Sequence, residues 1–206
     1  MTESAFGHVL TYPGLRAPEV FTREGLGWVP WIQPIPEDEL TEEHLVALVD
    51  KNRAKMPYFR LLVRDPEALR ARTATDNDIF YNTDSGLPRA DRELSAVGAS
   101  RSNGCIFCAS VHSRFAVQQS GRAEDVDRVL ADGVDSAQDA RWEAILEASV
   151  ALTDTPVALS QAHLDALRAA GLDDLEIADT LHGAAFFNWA NRLMLSLGEP
   201  ELPAAR

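Results

Sequence analysis

The chain is short of several things that would announce a function. Among its 206 residues there are two cysteines, too few for the disulfide framework of a small secreted domain. Cations are in deficit as well: 19 Lys and Arg stand against 32 Asp and Glu, for a formal net charge of −13. Phosphate-rich partners need basic surfaces, so nucleic acid and anionic membranes are poor prospects. No apolar run approaches the ~20 residues of a membrane-spanning helix. The opening residues, Met-Thr-Glu-Ser-Ala-Phe-Gly-His, carry neither the basic start nor the apolar core of a secretory leader. There is no Gly-rich phosphate loop, no flavin or nicotinamide motif, no internal repeat and no low-complexity segment. These absences predict a soluble, cytoplasmic protein of a reducing compartment, without a resident cofactor.

What is present reads as one globular unit with an extension, at 46% hydrophobic and 25% charged residues. Residues 1–40 are the irregular part. Pro13, Pro18, Pro30, Pro34 and Pro36 interrupt any helix there. Phe21, Leu26, Trp28, Val29, Trp31 and Ile32 are too apolar for a disordered tail. The expectation is a Pro/Trp-rich arm lying on a surface, either the chain's own body or a neighbouring subunit, with His8 in solvent.

Residues 41–206 repeat helical patterning with short breaks and no convincing alternation of β-branched residues, so an all-α helical bundle is expected. Thr41 caps a first helix whose apolar side is Leu45, Val46, Leu48 and Val49. Two more helices run from Tyr58 to Val63 and from Glu67 to about Tyr81, with Pro66 suited to the first position of the second. Asn82 to Gly86 is a turn, after which Leu87-Pro88 opens a helix bearing Glu93. Further helices cover Arg122 to Leu130, Arg141 to Leu152, Ser160 to Gly171 and Asp173 to about Leu197. Gly183, Ala184, Ala185 and Ala190 are small enough to admit a close neighbour, which makes the last helix a candidate for the centre of the bundle. His182 on it reads as a core histidine, and Arg192 as a partner for a carboxylate.

One stretch resists a purely packing account. Cys105 and Cys108 form a Cys-x-x-Cys, and His112 follows Cys108 by four positions. In a helix beginning near Asn103-Gly104, capped by Ser102 or Asn103, the three side chains share one face. One helical turn brings the two sulfurs within disulfide reach. First-turn N–H groups favour a thiolate and lower its pKa. His112 can accept the Cys108 proton. Glu93, twelve positions before Cys105, can orient His112 or relay a proton if its helix folds back. Four readings stay open on spacing alone: a redox-active pair, a zinc site using Cys105, Cys108 and His112, a structural disulfide closing a very small loop, and two inert buried cysteines beside a core histidine. Glu93, next to Arg92, also fits a solvated side chain.

The pattern Glu93-x11-Cys105-x-x-Cys108-x-x-x-His112 resembles the alkyl hydroperoxidase D-like branch of the carboxymuconolactone decarboxylase superfamily. The helix at residues 181–193, Leu-His-Gly-Ala-Ala-Phe-Phe-Asn-Trp-Ala-Asn-Arg-Leu, resembles the closing helix of peroxidase-related members. The likeness covers roughly residues 55–200. It implies an all-α fold that assembles into trimers or hexamers, and a thiol-dependent peroxidase. By matched position Cys108 attacks the hydroperoxide and becomes a sulfenic acid, Cys105 resolves it as a disulfide, and His112 with Glu93 relays protons. Ile106 and Phe107 beside the thiols favour organic hydroperoxides. The electrons then come from a dithiol partner, thioredoxin-like or lipoylated. Two other functions compete: an acid–base enzyme of the lactone-decarboxylating kind, using His112 and Glu93 with Arg192 on a substrate carboxylate, and a redox sensor without turnover.

Overall fold

The computed structural model describes residues 9–82 and 84–203; His8 lies outside them. The architecture is all-α. Among the described residues nine helices are joined by short turns, and a single two-stranded sheet ties the ends of the chain together. No helix among them is long and apolar enough to cross a membrane.

Local chemistry sets most of the boundaries. The Thr41 side chain accepts the N–H of His44 to start α1 (Glu42–Leu48), and the His44 ring returns a bond to the Thr41 N–H. The buried side of α1 is Ala47 and Leu48, whereas Leu45, Val46 and Val49 are exposed, contrary to the expected face. Next come α2 (Pro57–Leu62) and α3 (Pro66–Tyr81), the latter with Pro66 in its first turn and Asp65 capping it. After α4 (Arg89–Ser102) and α5 (Ile106–Ser120), the chain reverses at Gly121, whose φ of +73° suits a residue without Cβ. α6 (Ala123–Asp132), α7 (Ala140–Thr153), α8 (Gln161–Ala169) and α9 (Asp174–Leu197) complete the helices, and a reciprocal Asp173–Glu176 capping box starts α9.

The centre of the bundle is α4, not the last helix. Every residue from Asp91 to Ser100 is buried, and α5, α7 and α9 pack around α4. Small residues permit this. A Cβ at Gly98 would come within 3.2 Å of Ser149 Cβ on α7, and one at Gly183 of α9 would collide with Ser95 Oγ. The small residues of α9 thus do admit a close neighbour, but α9 keeps one side in solvent, including His182, Trp189 and Arg192. The polar groups drawn into the centre are satisfied: Asp91 accepts from Arg141 Nε at 2.7 Å and from Trp142 Nε1 at 2.9 Å.

Residues 9–40 lie on the chain's own body. β1 (Gly27–Pro30) pairs antiparallel with β2 (Gly198–Glu201), Trp28 opposite Pro200. The Trp28 ring is buried edge-on to Tyr58, 5.3 Å between centroids, and Gly198 leaves room for it. Trp31 Nε1 donates to Glu199 at 2.8 Å. The two strands carry prolines and little β-branched character, which is why an alternating pattern does not reveal them.

Candidate functional site

The turn between α4 and α5 places the thiols. Asn103 ends α4, and Gly104, with φ +77°, reverses the chain. Cys105 is therefore the residue that caps α5, one position outside it, instead of lying in a helix that begins at Asn103. Ser102 and Asn103 do not cap α5. Asn103 reaches across to α9, donating to Asn188 at 3.2 Å and to Asn191 at 3.1 Å. Cys108 falls in the first turn of α5 and His112 one turn later. Both cysteines are free thiols and both are buried.

The two sulfurs have opposite characters. Cys105 is held below the ordinary thiol range, chiefly because the Cys108 thiol donates to it. Burial opposes this, while the N–H of Cys108, the Asn191 amide and the N–H of Phe107 add to it. The N–H contacts fall short of a closed cap hydrogen bond, but they lie on the positive end of α5. Cys108 is pushed well above the ordinary range by that same bond to Cys105, by complete burial and by the neighbouring thiolate; Asn191 and Arg72 act in the other direction. Cys105 is thus the more easily ionised thiol of the two. An ultraviolet thiolate titration is expected to show one thiol ionising below and one above the usual value. In Cys105→Ser the Cys108 thiol should titrate lower than in the parent, because its acceptor and its like-charged neighbour are both gone. An upward or absent shift would contradict this arrangement.

His112 and Glu93 do meet. Glu93 is fully buried, not solvated, and its Oε2 lies 2.5 Å from His112 Nδ1. Its other oxygen accepts from Arg89 Nε at 2.6 Å. The His112 ring is wedged against Phe187, with 3.9 Å between centroids, and against Phe80 at 5.3 Å. With Nδ1 committed to Glu93, Nε2 has no hydrogen-bond partner among the described residues and faces the reactive space. That space is a cavity of about 180 Å³ lined by Cys108, His112, Glu93, Arg72, Asp76 and Arg89, with aromatic and aliphatic side chains forming the remaining walls. Cys105 does not line it. It opens instead on a separate cleft of about 190 Å³ between Pro18 and Trp28 of the arm and Gly198 and Pro200 of β2.

Cys105, Cys108, His112 and Glu93 are therefore gathered at one place, with Cys108 between the cavity and Cys105. No group of three His, Cys, Asp or Glu side chains among the described residues is arranged to hold a metal ion; His112 turns to Glu93 and does not join the thiols. Arg192 is not at the site. It is exposed on the far side of α9, bonded to Asn188 and Thr155. Three residues at the site have no signal in the spacing argument. Arg89 and Arg72 each stand four positions before an acid and read as ordinary surface pairs. Asn191 reads as one of several polar residues on α9 but is completely buried, donating to Ser100 Oγ at 3.0 Å.

Comparison with known proteins agrees with this fold. The sequence profile of the carboxymuconolactone decarboxylase family matches residues 66–151, which contain α3 to α6 and most of α7. No curated protein matches the chain. Among solved structures, an uncharacterized peroxidase-related protein from Silicibacter sp. TM1040 superposes with a TM-score of 0.67 at 26% identity, over 81% of this chain and 90% of that one. A peroxidase-related protein with an alkylhydroperoxidase AhpD core from Ralstonia eutropha JMP134 gives 0.69 at 22%, over 82% and 90%. The debrominase Bmp8 shares the fold at 0.65 and 15%, over 80% and 88%. Helical architecture, matched profile and superposed neighbours converge: residues 66–151 carry the sequence pattern of the carboxymuconolactone decarboxylase family, and the chain shares the fold of alkyl hydroperoxidase D-like, peroxidase-related proteins.

Proposed function

We propose that the protein is a thiol-dependent peroxidase that reduces organic hydroperoxides, an antioxidant oxidoreductase. The observation that carries this reading is the position of Cys108, which faces a small apolar cavity beside the His112–Glu93 pair and is backed by Cys105. The superfamily includes enzymes of more than one chemistry, and two adjacent free thiols favour the redox one.

Of the two thiols Cys105 ionises first, and Cys108 keeps its proton as the donor to it. When a hydroperoxide enters, Cys108 passes its proton to Cys105 and its sulfur attacks the distal oxygen. The O–O bond breaks, and His112, oriented by Glu93, protonates the departing alkoxide. The products are an alcohol and Cys108 sulfenic acid. The Cys105 sulfur then attacks Cys108 Sγ. The S–O bond breaks, and hydroxide leaves with the Cys105 proton as water. A dithiol reductant, thioredoxin-like or lipoylated, attacks the disulfide at Cys105 from the separate cleft and expels Cys108 as a thiolate. Its second thiol closes its own disulfide and expels Cys105 as a thiolate, which returns two electrons, and the two protons of the dithiol go back to Cys108 and to His112. The working form is a cytoplasmic homotrimer or homohexamer.

The test is capture of the intermediate. Cys105→Ser protein treated with cumene hydroperoxide and dimedone is expected to gain a dimedone adduct on the Cys108 peptide. Peroxide consumption without an adduct there, or no consumption at all, would refute the assignment.

A further inference from the structure

Arg72 stands in the cavity wall with part of its guanidinium unused. Its side chain is only 9% exposed, and Nη1 bonds Asp76, one turn along α3, at 2.9 Å. The guanidinium lies over the rings of Phe59 and Phe186, 5.6 and 5.2 Å from their centroids. Its Nε is buried with no hydrogen-bond partner, and Nη2 forms no hydrogen bond among the described residues. Arg60 Nε is unpartnered too, but outside this cavity.

The Nε–Nη2 edge is the side of an arginine that matches two carboxylate oxygens at once. A buried N–H left open is costly, so its presence in a binding cavity calls for a ligand acceptor. The other arginine of the wall has no such open edge, because Arg89 turns its Nε and Nη2 to Glu93. A second cation sharpens the point. Arg53 lies over the same Phe59 ring at 4.8 Å, and after burial it is the like charge of Arg72 that most lowers its pKa, with Asp76, Asp50 and Tyr81 opposing. Two guanidinium groups on one aromatic ring favour an anion nearby.

We propose that the cavity takes an anionic organic hydroperoxide, an aromatic or branched apolar body with a carboxylate at one end, held by the open edge of Arg72 with its peroxide at Cys108. This rests on the peroxidase reading of the site. It specifies the substrate class, and it makes Arg72 a determinant of specificity.

The experiment uses two matched pairs of probes. One pair is unreactive, para-isopropylbenzoate and para-isopropylbenzamide, and its binding is measured by calorimetry. The other is reactive, para-carboxycumene hydroperoxide and cumene hydroperoxide, compared by kcat/KM. Wild-type protein is expected to prefer the carboxylate in each pair by about tenfold to a hundredfold, as for a charge-assisted hydrogen bond. In Arg72→Gln both ratios should fall to near one, and the kinetic change should appear mainly in KM. Arg72→Lys, which keeps the charge but not the fork, should recover part of the preference. Arg72 also acts on the Cys108 thiol and packs on Phe59, but those roles affect both members of a pair alike and leave the ratio unchanged. A wild-type ratio near one overturns the proposal whatever the variants do, and so does a preference that survives Arg72→Gln. If the benzoate binds through Arg72 while neither hydroperoxide is turned over, the anion site stands and the peroxidase reading fails.

Discussion

Cys108→Ser protein is expected to reduce cumene hydroperoxide slower than the parent by on the order of 10³-fold or more, the usual scale for removing an attacking nucleophile. A serine oxygen is a far weaker nucleophile than sulfur and cannot form the sulfenic acid on which the cycle depends. Cys105→Ser should behave differently, with one turnover per site and then arrest, since no resolving thiol remains. This contrast is sharp because the ionisation order argues for the opposite roles. Cys105 is the more easily ionised thiol, and a reading based on thiolate character alone would make it the nucleophile. Position decides otherwise: Cys108 lines the cavity that His112 and Glu93 share, and Cys105 does not. Stopped-flow measurement of the first turnover in the two variants distinguishes the assignments. A fast first turnover in Cys108→Ser and none in Cys105→Ser would reverse them.

Glu93→Gln should damage both activity and stability. Glu93 is fully buried between Arg89 and His112 and bonds each through a different oxygen. A glutamine of the same shape brings an N–H against one of these two donors, and it leaves the largely buried Arg89 guanidinium without its counter-charge. Breaking a buried pair in this way costs about 3–5 kcal/mol, read as a lower urea midpoint. The loss of orientation at His112 should lower kcat/KM by about 10²–10⁴, the range for a positioned acid–base group. Glu147→Gln, on the exposed side of α7, is the control and should change stability by no more than about 0.5 kcal/mol. Full activity in Glu93→Gln would remove the pair from the mechanism.

Much of this molecule is written in local chemistry. Thr41, Asp65 and Asp173 mark helix starts because a short polar side chain satisfies the first N–H groups wherever the helix later packs. The Glu93–His112 meeting was accessible from spacing, since the short Asn103-Gly104 turn brings α5 back along α4. What could not be read locally depends on burial. Arg72–Asp76 and Arg89–Glu93 look like any solvent-exposed pair one turn apart, and only the packing of α4 and α9 takes them out of water. The same holds for the bundle centre. Ser95, Gly98 and Ser100 give α4 a polar, unremarkable composition, whereas their small size is what lets three helices close on it. Asn103 and Gly104 suit a helix end as readily as a helix start, so local sequence does not distinguish Cys105 in the first turn of α5 from Cys105 at its cap, where the structure has it. The strands at Gly27–Pro30 and Gly198–Glu201 exist through each other and through Trp28, and neither carries an independent signal.

The most direct measurement is the thiol and mass balance of the protein after one equivalent of cumene hydroperoxide. The account predicts loss of both free thiols and of two mass units within seconds, with a disulfide linking Cys105 to Cys108 and one equivalent of cumyl alcohol released. Thiols that remain free, or that react no faster than glutathione at the same concentration, would contradict it.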